Sequence, residues 1–264
     1  MKKTIQIPII NESQILMTDI TYTQVPYWFD ATLRPLKMDI IMPKHRENHP
    51  RKPLLVWICG GGMQTMDKDV WIPDIVSYTD RGYVVASISY RTYPDDFTKA
   101  LKDVKAAIRY LKAHADLYCI DAARTVIMGE SAGGMLACAA GITNEIREFD
   151  EGEYLDYSSK VQAVVSLYGP VIRDFVTPEL DDMIKRLLKE NKEHIPPFFV
   201  MQGTEDTLVD KKYMDQMYCD LEESGIECDY YVLEGAGHGA DEFYQTEVKN
   251  LVSDFFNKAI VPES

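Results

Sequence analysis

Short runs of apolar and β-branched residues recur along the chain, at 36–42, 54–59, 83–90, 125–128, 161–168, 197–202 and 227–233. Several are apolar without interruption, as strands covered on both faces are. Between them the period changes to that of a helix. Over 98–114, Leu101, Val104, Ile108 and Leu111 fall on one stripe, and over 211–224 Met214, Met217 and Leu221 do the same before Gly225. A last helix is expected over 241–258, carrying Val248, Leu251, Val252, Phe255 and Phe256. Strands alternating with helices across short joints predict an α/β fold, with a mostly parallel sheet and helices on both faces.

Two segments break the alternation. Residues 143–160 are acidic and hold Tyr154 and Tyr157, and residues 171–197 contain a short helical pattern at 178–192. Each is too small to be a domain. The 264 residues therefore read as a single domain, 1–264, with two insertions expected near the strand C-termini, where ligands bind on such sheets. The polar stretch 44–52 reads as a solvated loop.

Charge narrows the list of partners. A net charge of −14 repels phosphate backbones and anionic lipid, which argues against nucleic acid and membrane surfaces and leaves a neutral or cationic small molecule. Five cysteines (Cys59, Cys119, Cys138, Cys219 and Cys228) form no C-x-x-C pair, so free thiols in a reducing compartment are expected rather than disulfides or a metal knuckle. The opening MKKTIQIPIINESQ is interrupted by Asn11, Glu12 and Ser13 before it could serve as a secretory signal. A cytoplasmic location is the expectation.

The chemistry concentrates in four places. Gly129-Glu130-Ser131-Ala132-Gly133 is a G-x-S-x-G pattern between an apolar run and a helix-like run, 135–140. A strand–turn–helix of this kind holds a serine on a sharp, exposed turn. A serine hydroxyl needs a base, and the base needs an orienting group. Among five histidines, His45 and His49 lie in the charged loop, His114 ends a helical pattern and His194 sits in the second insertion. His238 alone occupies a glycine-rich turn, Gly235–Gly239, between a strand and the last helix. An acid is expected after the strand 197–202. Asp206 is the choice, with Glu205 a near rival and Asp210 a weaker one. The order Ser131, Asp206, His238 is that of α/β-hydrolases. Finally, Cys59-Gly60-Gly61-Gly62-Met63 leaves a strand with three glycines, which lets backbone N–H groups turn towards an oxyanion. Gly61 and Gly62, with Ala132, are the expected donors. No Lys-Ser/Thr follows, so a phosphate loop is not indicated.

With these parts assembled, the chain resembles the α/β-hydrolase superfamily. Within it, it resembles the HGGG-type serine esterases: the hormone-sensitive-lipase group and the small bacterial acetylxylan and feruloyl esterases. The matching stretches are LLVWICGGG, RGYVVASISYR, the run from Ala100 through GESAGG, VMQGTEDTLV and EGAGHG. The resemblance implies an eight-stranded sheet, a Ser-His-Asp acyl-enzyme mechanism and no cofactor or metal. It departs from the family at Cys59, where relatives carry the histidine that shapes the glycine loop. Residues 22–42 resemble the start of the small carbohydrate-esterase members and replace a long N-terminal cap.

The expected activity is carboxylester hydrolysis of short-chain acyl esters, with acetyl groups on plant-derived oligosaccharides as the narrower expectation. The alternatives are an arylformamidase or peptidase-like hydrolase on the same scaffold, or a non-catalytic binding protein. Met63, Trp71, Tyr90 and the insertion tyrosines, Tyr154 and Tyr157, are candidates for the pocket wall.

Overall fold

The computed structural model describes residues 1–10, 12–44, 50–171 and 176–260. His45 and His49 lie outside the described residues, as do residues 172–175 of the second expected insertion. Eight strands form one sheet in the order β1-β2-β4-β3-β5-β6-β7-β8. They are β1 (Gln14–Tyr27), β2 (Thr32–Pro43), β3 (Lys52–Ile58), β4 (Val84–Ile88), β5 (Ile120–Glu130), β6 (Ala163–Leu167), β7 (Phe198–Gly203) and β8 (Cys228–Leu233). β1 and β2 form an antiparallel hairpin, β2 meets β4 antiparallel, and every other pair is parallel. This is the predicted α/β architecture.

The uninterrupted apolar strands sit at the centre. β4 and β6 are buried at every residue, because helices cover both faces. Alternate side chains of β3 serve opposite layers. Leu54, Val56 and Ile58 pack with α3 (Phe97–Ala113) and α4 (Ala132–Ile142). Leu55 and Trp57 face the other way, towards Ile75 of α1 (Ile72–Ile75), Tyr78 of α2 (Ser77–Asp80), and Val252 and Phe256 of α7 (Thr246–Ile260). The remaining helices, α5 (Pro178–Glu190) and α6 (Lys211–Glu223), join the first layer. Side-chain caps start three of the helices. Asp96 accepts the Lys99 N–H at α3, Thr177 the Leu180 N–H at α5 and Asp210 the Lys212 N–H at α6.

Several elements differ from the sequence pattern. β1 is absent from it, because register shifts between Met17 and Ile20 and between Thr21 and Thr23 throw its alternation out of phase. α1 and α2 have only four residues each, too few for a period. The last helix is divided: a 3-10 turn covers Asp241–Tyr244, Gln245 is extended, and α7 follows.

The first inserted segment is displaced from its expected position. Residues 143–160 join the C-terminal end of α4 to the start of β6, so they lie towards the strand N-termini. Arg109 of α3, fully buried, anchors them through a 2.8 Å ion pair with Asp150. Tyr154 stands edge-on to Tyr110, with ring centres 5.7 Å apart, rather than beside a ligand site. Both segments are tied at their bases by buried asparagines. Asn144 donates to the carbonyls of Val161 and His194 and accepts the Val161 N–H, while Asn191 donates to the carbonyls of Ile142 and Asn144.

Candidate active site

The strand register sets the level of the site. Ile88 of β4 pairs with Ile58 of β3, and Ile58 with Gly129 of β5, so the glycine loop and the serine turn leave the sheet side by side. Ser131 directly follows β5 and lies in the left-handed region, at φ 52°, a conformation a non-glycine residue adopts at a cost. It is held there by its N–H, which donates to the Leu167 carbonyl at 2.9 Å, and by its carbonyl, which accepts from Met135. The turn is tight enough that a Cβ on Gly133 would lie 2.1 Å from the Ile58 carbonyl oxygen. Only glycine lets α4 begin so close to β3.

His238 reaches this turn from the loop after β8. Its Nε2 lies 2.9 Å from Ser131 Oγ, and its Nδ1 lies 2.8 Å from Asp206 Oδ2. The Asp206 side chain is fully buried, while that of His238 keeps 18% of its surface exposed. Asp206 is well supplied with donors. Its Oδ1 accepts the N–H groups of Leu208 and Val209 at 2.9 and 2.8 Å, and its Oδ2 accepts Gln202 Nε2 at 2.8 Å. Such bonds fix the direction of the carboxylate. Of the other two acid candidates, Glu205 is exposed at its turn and Asp210 caps α6. The acid turn and the histidine loop are also joined directly, through Gly235 N–H to Thr204 Oγ1 and Glu205 N–H to the Ala236 carbonyl. His114 stacks on Tyr110, and His194 is exposed beyond α5.

The glycine loop turns at Gly61 and Gly62, with φ of 124° and 61°. A side chain at Gly61 would run into the Thr65 carbonyl, 2.1 Å from the Cβ position. The Gly61 carbonyl is taken by the N–H groups of Gln64 and Thr65. Gly60 N–H donates to the carboxylate of Glu130, the residue beside Ser131. Cys59 is buried among these groups, and burial, then the Glu130 charge, pushes its thiol up to about 12. A thiol so protonated is no nucleophile.

Glu130 is the residue that motif reasoning overlooks. Besides Gly60 it accepts Trp71 Nε1–H at 3.2 Å. Trp71 stacks on Tyr244, with ring centres 4.3 Å apart, and the Tyr244 hydroxyl meets that of Tyr168 at 2.5 Å. Tyr168 in turn presents its edge to His238 at 4.7 Å. Burial, then the neighbouring Tyr244, holds the Tyr168 phenol protonated far above its usual range. A continuous chain of contacts thus runs from the glycine loop to the imidazole. Among the proposed wall residues, Trp71 belongs to this chain. Tyr90 is buried with its hydroxyl on the Cys59 carbonyl, and the Met63 carbonyl accepts the Tyr93 N–H. Among the described residues no cluster of three or more His, Cys, Asp or Glu side chains could hold a metal ion, and no helix is long and apolar enough to cross a membrane.

A hydroxyl in contact with an imidazole that a buried carboxylate orients is the arrangement of nucleophilic acyl transfer. Known proteins share the scaffold. The model of the BD-FAE family matches residues 38–195. A probable carboxylic ester hydrolase, LipM, from Mycobacterium tuberculosis is 30% identical over 185 residues, covering 60% of this chain and 42% of its own. Esterase LipC from the same organism is 27% identical over 223 residues, covering 74% and 55%. The chain thus spans about half the length of these curated relatives. Among solved structures, a truncated carbohydrate esterase from gut microbiota has a TM-score of 0.78 at 23% identity, covering 94% of this chain and 97% of that one. A bifunctional GH43-CE protein of Bacteroides eggerthii has a TM-score of 0.77 at 26% identity, covering 93% and 35%. Sheet order and likeness together establish the α/β-hydrolase fold.

Proposed function

The chain belongs to the BD-FAE family, and from that premise we propose that it is a serine carboxylester hydrolase acting through Ser131, His238 and Asp206. The observation that carries the reading is the single imidazole of His238, within 2.9 Å of a serine hydroxyl on one side and 2.8 Å of a buried carboxylate on the other. Ser131 Oγ attacks the ester carbonyl as its proton passes to His238 Nε2. Asp206 keeps the imidazole in the required tautomer and stabilises its charged form. The N–H groups of Gly61, Gly62 and Ala132 receive the oxyanion. Collapse of the tetrahedral intermediate releases the alcohol, which takes the proton from Nε2. Water then repeats the sequence on the acyl-enzyme: His238 accepts its proton, and the carboxylic acid departs from Ser131.

For substrate we propose short-chain acyl esters, with acetyl groups on plant-derived oligosaccharides as the specific class. Support comes from the solved carbohydrate esterases of the same fold. The test is hydrolysis of p-nitrophenyl esters from acetyl to dodecanoyl, beside acetylated xylo-oligosaccharides, with fluorophosphonate labelling and a Ser131→Ala control. Preference for acetyl, sugar deacetylation and labelling lost only in Ser131→Ala is the expected result. Activity confined to long chains overturns the substrate class, and a wild type that neither turns over nor labels overturns the hydrolase.

A further inference from the structure

The β1–β2 hairpin carries a feature that the triad does not use. Met38 of β2 pairs with Ile88 at the end of β4, so the hairpin continues about seven residues further, roughly 20 Å beyond the level at which the serine turn leaves the sheet. Its tip displays two large rings to solvent: Trp28 is 65% exposed and Phe29 94%. Trp28, Phe29 and Asp30 all occupy the left-handed region, at φ 50°, 55° and 61°. Three successive non-glycine residues in that region are strained, and such strain is retained where the displayed side chains have a use.

The tip borders a cleft of about 230 Å³. Its lining brings Tyr27, Trp28, Phe29 and Pro94 together with Asp30, Arg34 and Asp95. Arg34 lies over the Tyr27 ring, 5.3 Å from its centre, and reaches Asp95 at 3.4 Å, while its buried Nε–H has no partner among the described residues. The cleft is linked to the candidate active site. Tyr93, next to Pro94 and 70% exposed, donates its N–H to the carbonyl of Met63 at 2.7 Å, directly after Gly61 and Gly62.

The mixed chemistry of the lining selects the occupant. An acyl chain would bury nothing against Asp30 and Asp95, and anionic lipid is repelled by a net charge of −14. A pyranose ring matches both kinds of lining group: its C–H face carries partial positive charge towards the π cloud of an indole, and its rim of hydroxyls suits carboxylates and a guanidinium.

We propose that this cleft is a glycan subsite, in which a sugar of an oligosaccharide ester stacks on Trp28 and hydrogen-bonds to Asp30, Arg34 and Asp95 while its acyl group lies at Ser131. The last clause rests on the hydrolase reading above; sugar binding itself does not.

The test pairs a binding readout with two turnover readouts on the full chain. Xylohexaose is titrated against tryptophan fluorescence, and kcat/KM is measured for p-nitrophenyl acetate and for acetylated xylo-oligosaccharides. These are done in the wild type, Trp28→Ala and Phe29→Ala, each checked for an unchanged melting temperature. Trp28→Ala is expected to keep its rate on p-nitrophenyl acetate, to lose at least tenfold on the oligosaccharide, mostly in KM, and to lose the fluorescence response. Wild-type rates on both substrates in Trp28→Ala and Phe29→Ala overturn the subsite. So does a wild type that cleaves p-nitrophenyl acetate but gives no response to xylohexaose, or whose Trp28 responds to phosphatidylcholine vesicles instead. A wild type that binds xylohexaose through Trp28 yet cleaves neither ester supports the subsite and retires the hydrolase.

Discussion

Glu130 accepts the backbone N–H of Gly60, while the next residue, Ser131, meets His238. One dipeptide at the end of β5 therefore fixes both the glycine loop and the hydroxyl. Beside Cys59, this chain holds the loop with the Glu130 carboxylate. Glu130→Ala is expected to lower kcat by about tenfold to a hundredfold through a misplaced loop, with KM little changed. Steady-state kinetics on p-nitrophenyl acetate check this, and a wild-type kcat would show the loop to be held by its own turn.

Asp206→Asn retains the size of the side chain and the bonds to Leu208 and Val209 but removes the charge that faces His238. The expected loss is about 10³-fold to 10⁴-fold in kcat, since the imidazole is no longer held in the tautomer that accepts the serine proton. The unfolding midpoint in urea, measured beside the kinetics, separates this from a folding defect.

Gly133→Ala places a methyl group 2.1 Å from the Ile58 carbonyl oxygen and 2.8 Å from that of Cys59. Backbone cannot yield as a side chain does. The variant is expected to lose about 2–3 kcal/mol of stability, with most of its activity, because α4 must move away from β3. Urea unfolding by circular dichroism gives the first figure and ester hydrolysis the second.

The thiols predict a pattern of modification. Cys219 is exposed, while burial pushes Cys59 and Cys138 up to about 12. Iodoacetamide at pH 8 is expected to alkylate Cys219 in the native protein and to leave Cys59 and Cys138 unmodified, as peptide mass mapping would read.

These two buried thiols also have a consequence for pH. Unfolding returns them to an ordinary value of about 8.5, so above that pH the unfolded chain holds fewer protons than the folded one. Their contribution falls as pH rises from about 8.5 towards 12. Buried Lys105 and Lys112, brought down to about 8 by burial, act with the opposite sign up to about 10.4. The thiol effect is therefore read as a difference: the Cys59→Ala/Cys138→Ala double variant should show a shallower loss of stability between pH 8.5 and 10, seen in urea midpoints.

Local signals made much of the molecule legible. Uninterrupted apolar runs mark β3, β4 and β6 because covered strands tolerate little else, and the stripe of Leu101, Val104, Ile108 and Leu111 marks α3. Ser131 is carried by a five-residue motif and His238 by its glycine turn. The choice among Glu205, Asp206 and Asp210 rests on burial and capping, which no short window of sequence contains. Glu130, Gln202, Tyr168 and Tyr244 escape such reading for a related reason. Each acts through a partner distant in the chain or carried by another element, and nothing in its own neighbourhood announces the contact. β1 is hidden by its bulges, and the position of residues 143–160 follows from the direction of α4 rather than from their composition.

The buried pair Asn144 and Asn191 has a bearing on how this architecture diversifies. By bonding the backbone where the first excursion begins and ends and where the second returns, the two amides work as a hem: the fabric beyond it can be recut without pulling on the strands. Residues 151–157 lie outside that hem. Of these, 156 and 157 also lie beyond the reach of buried Arg109, which donates to the carbonyls of Glu151 and Glu153; grafts at 156 and 157 should pass through folding unnoticed, whereas a single substitution at Asn144 should unravel both excursions together.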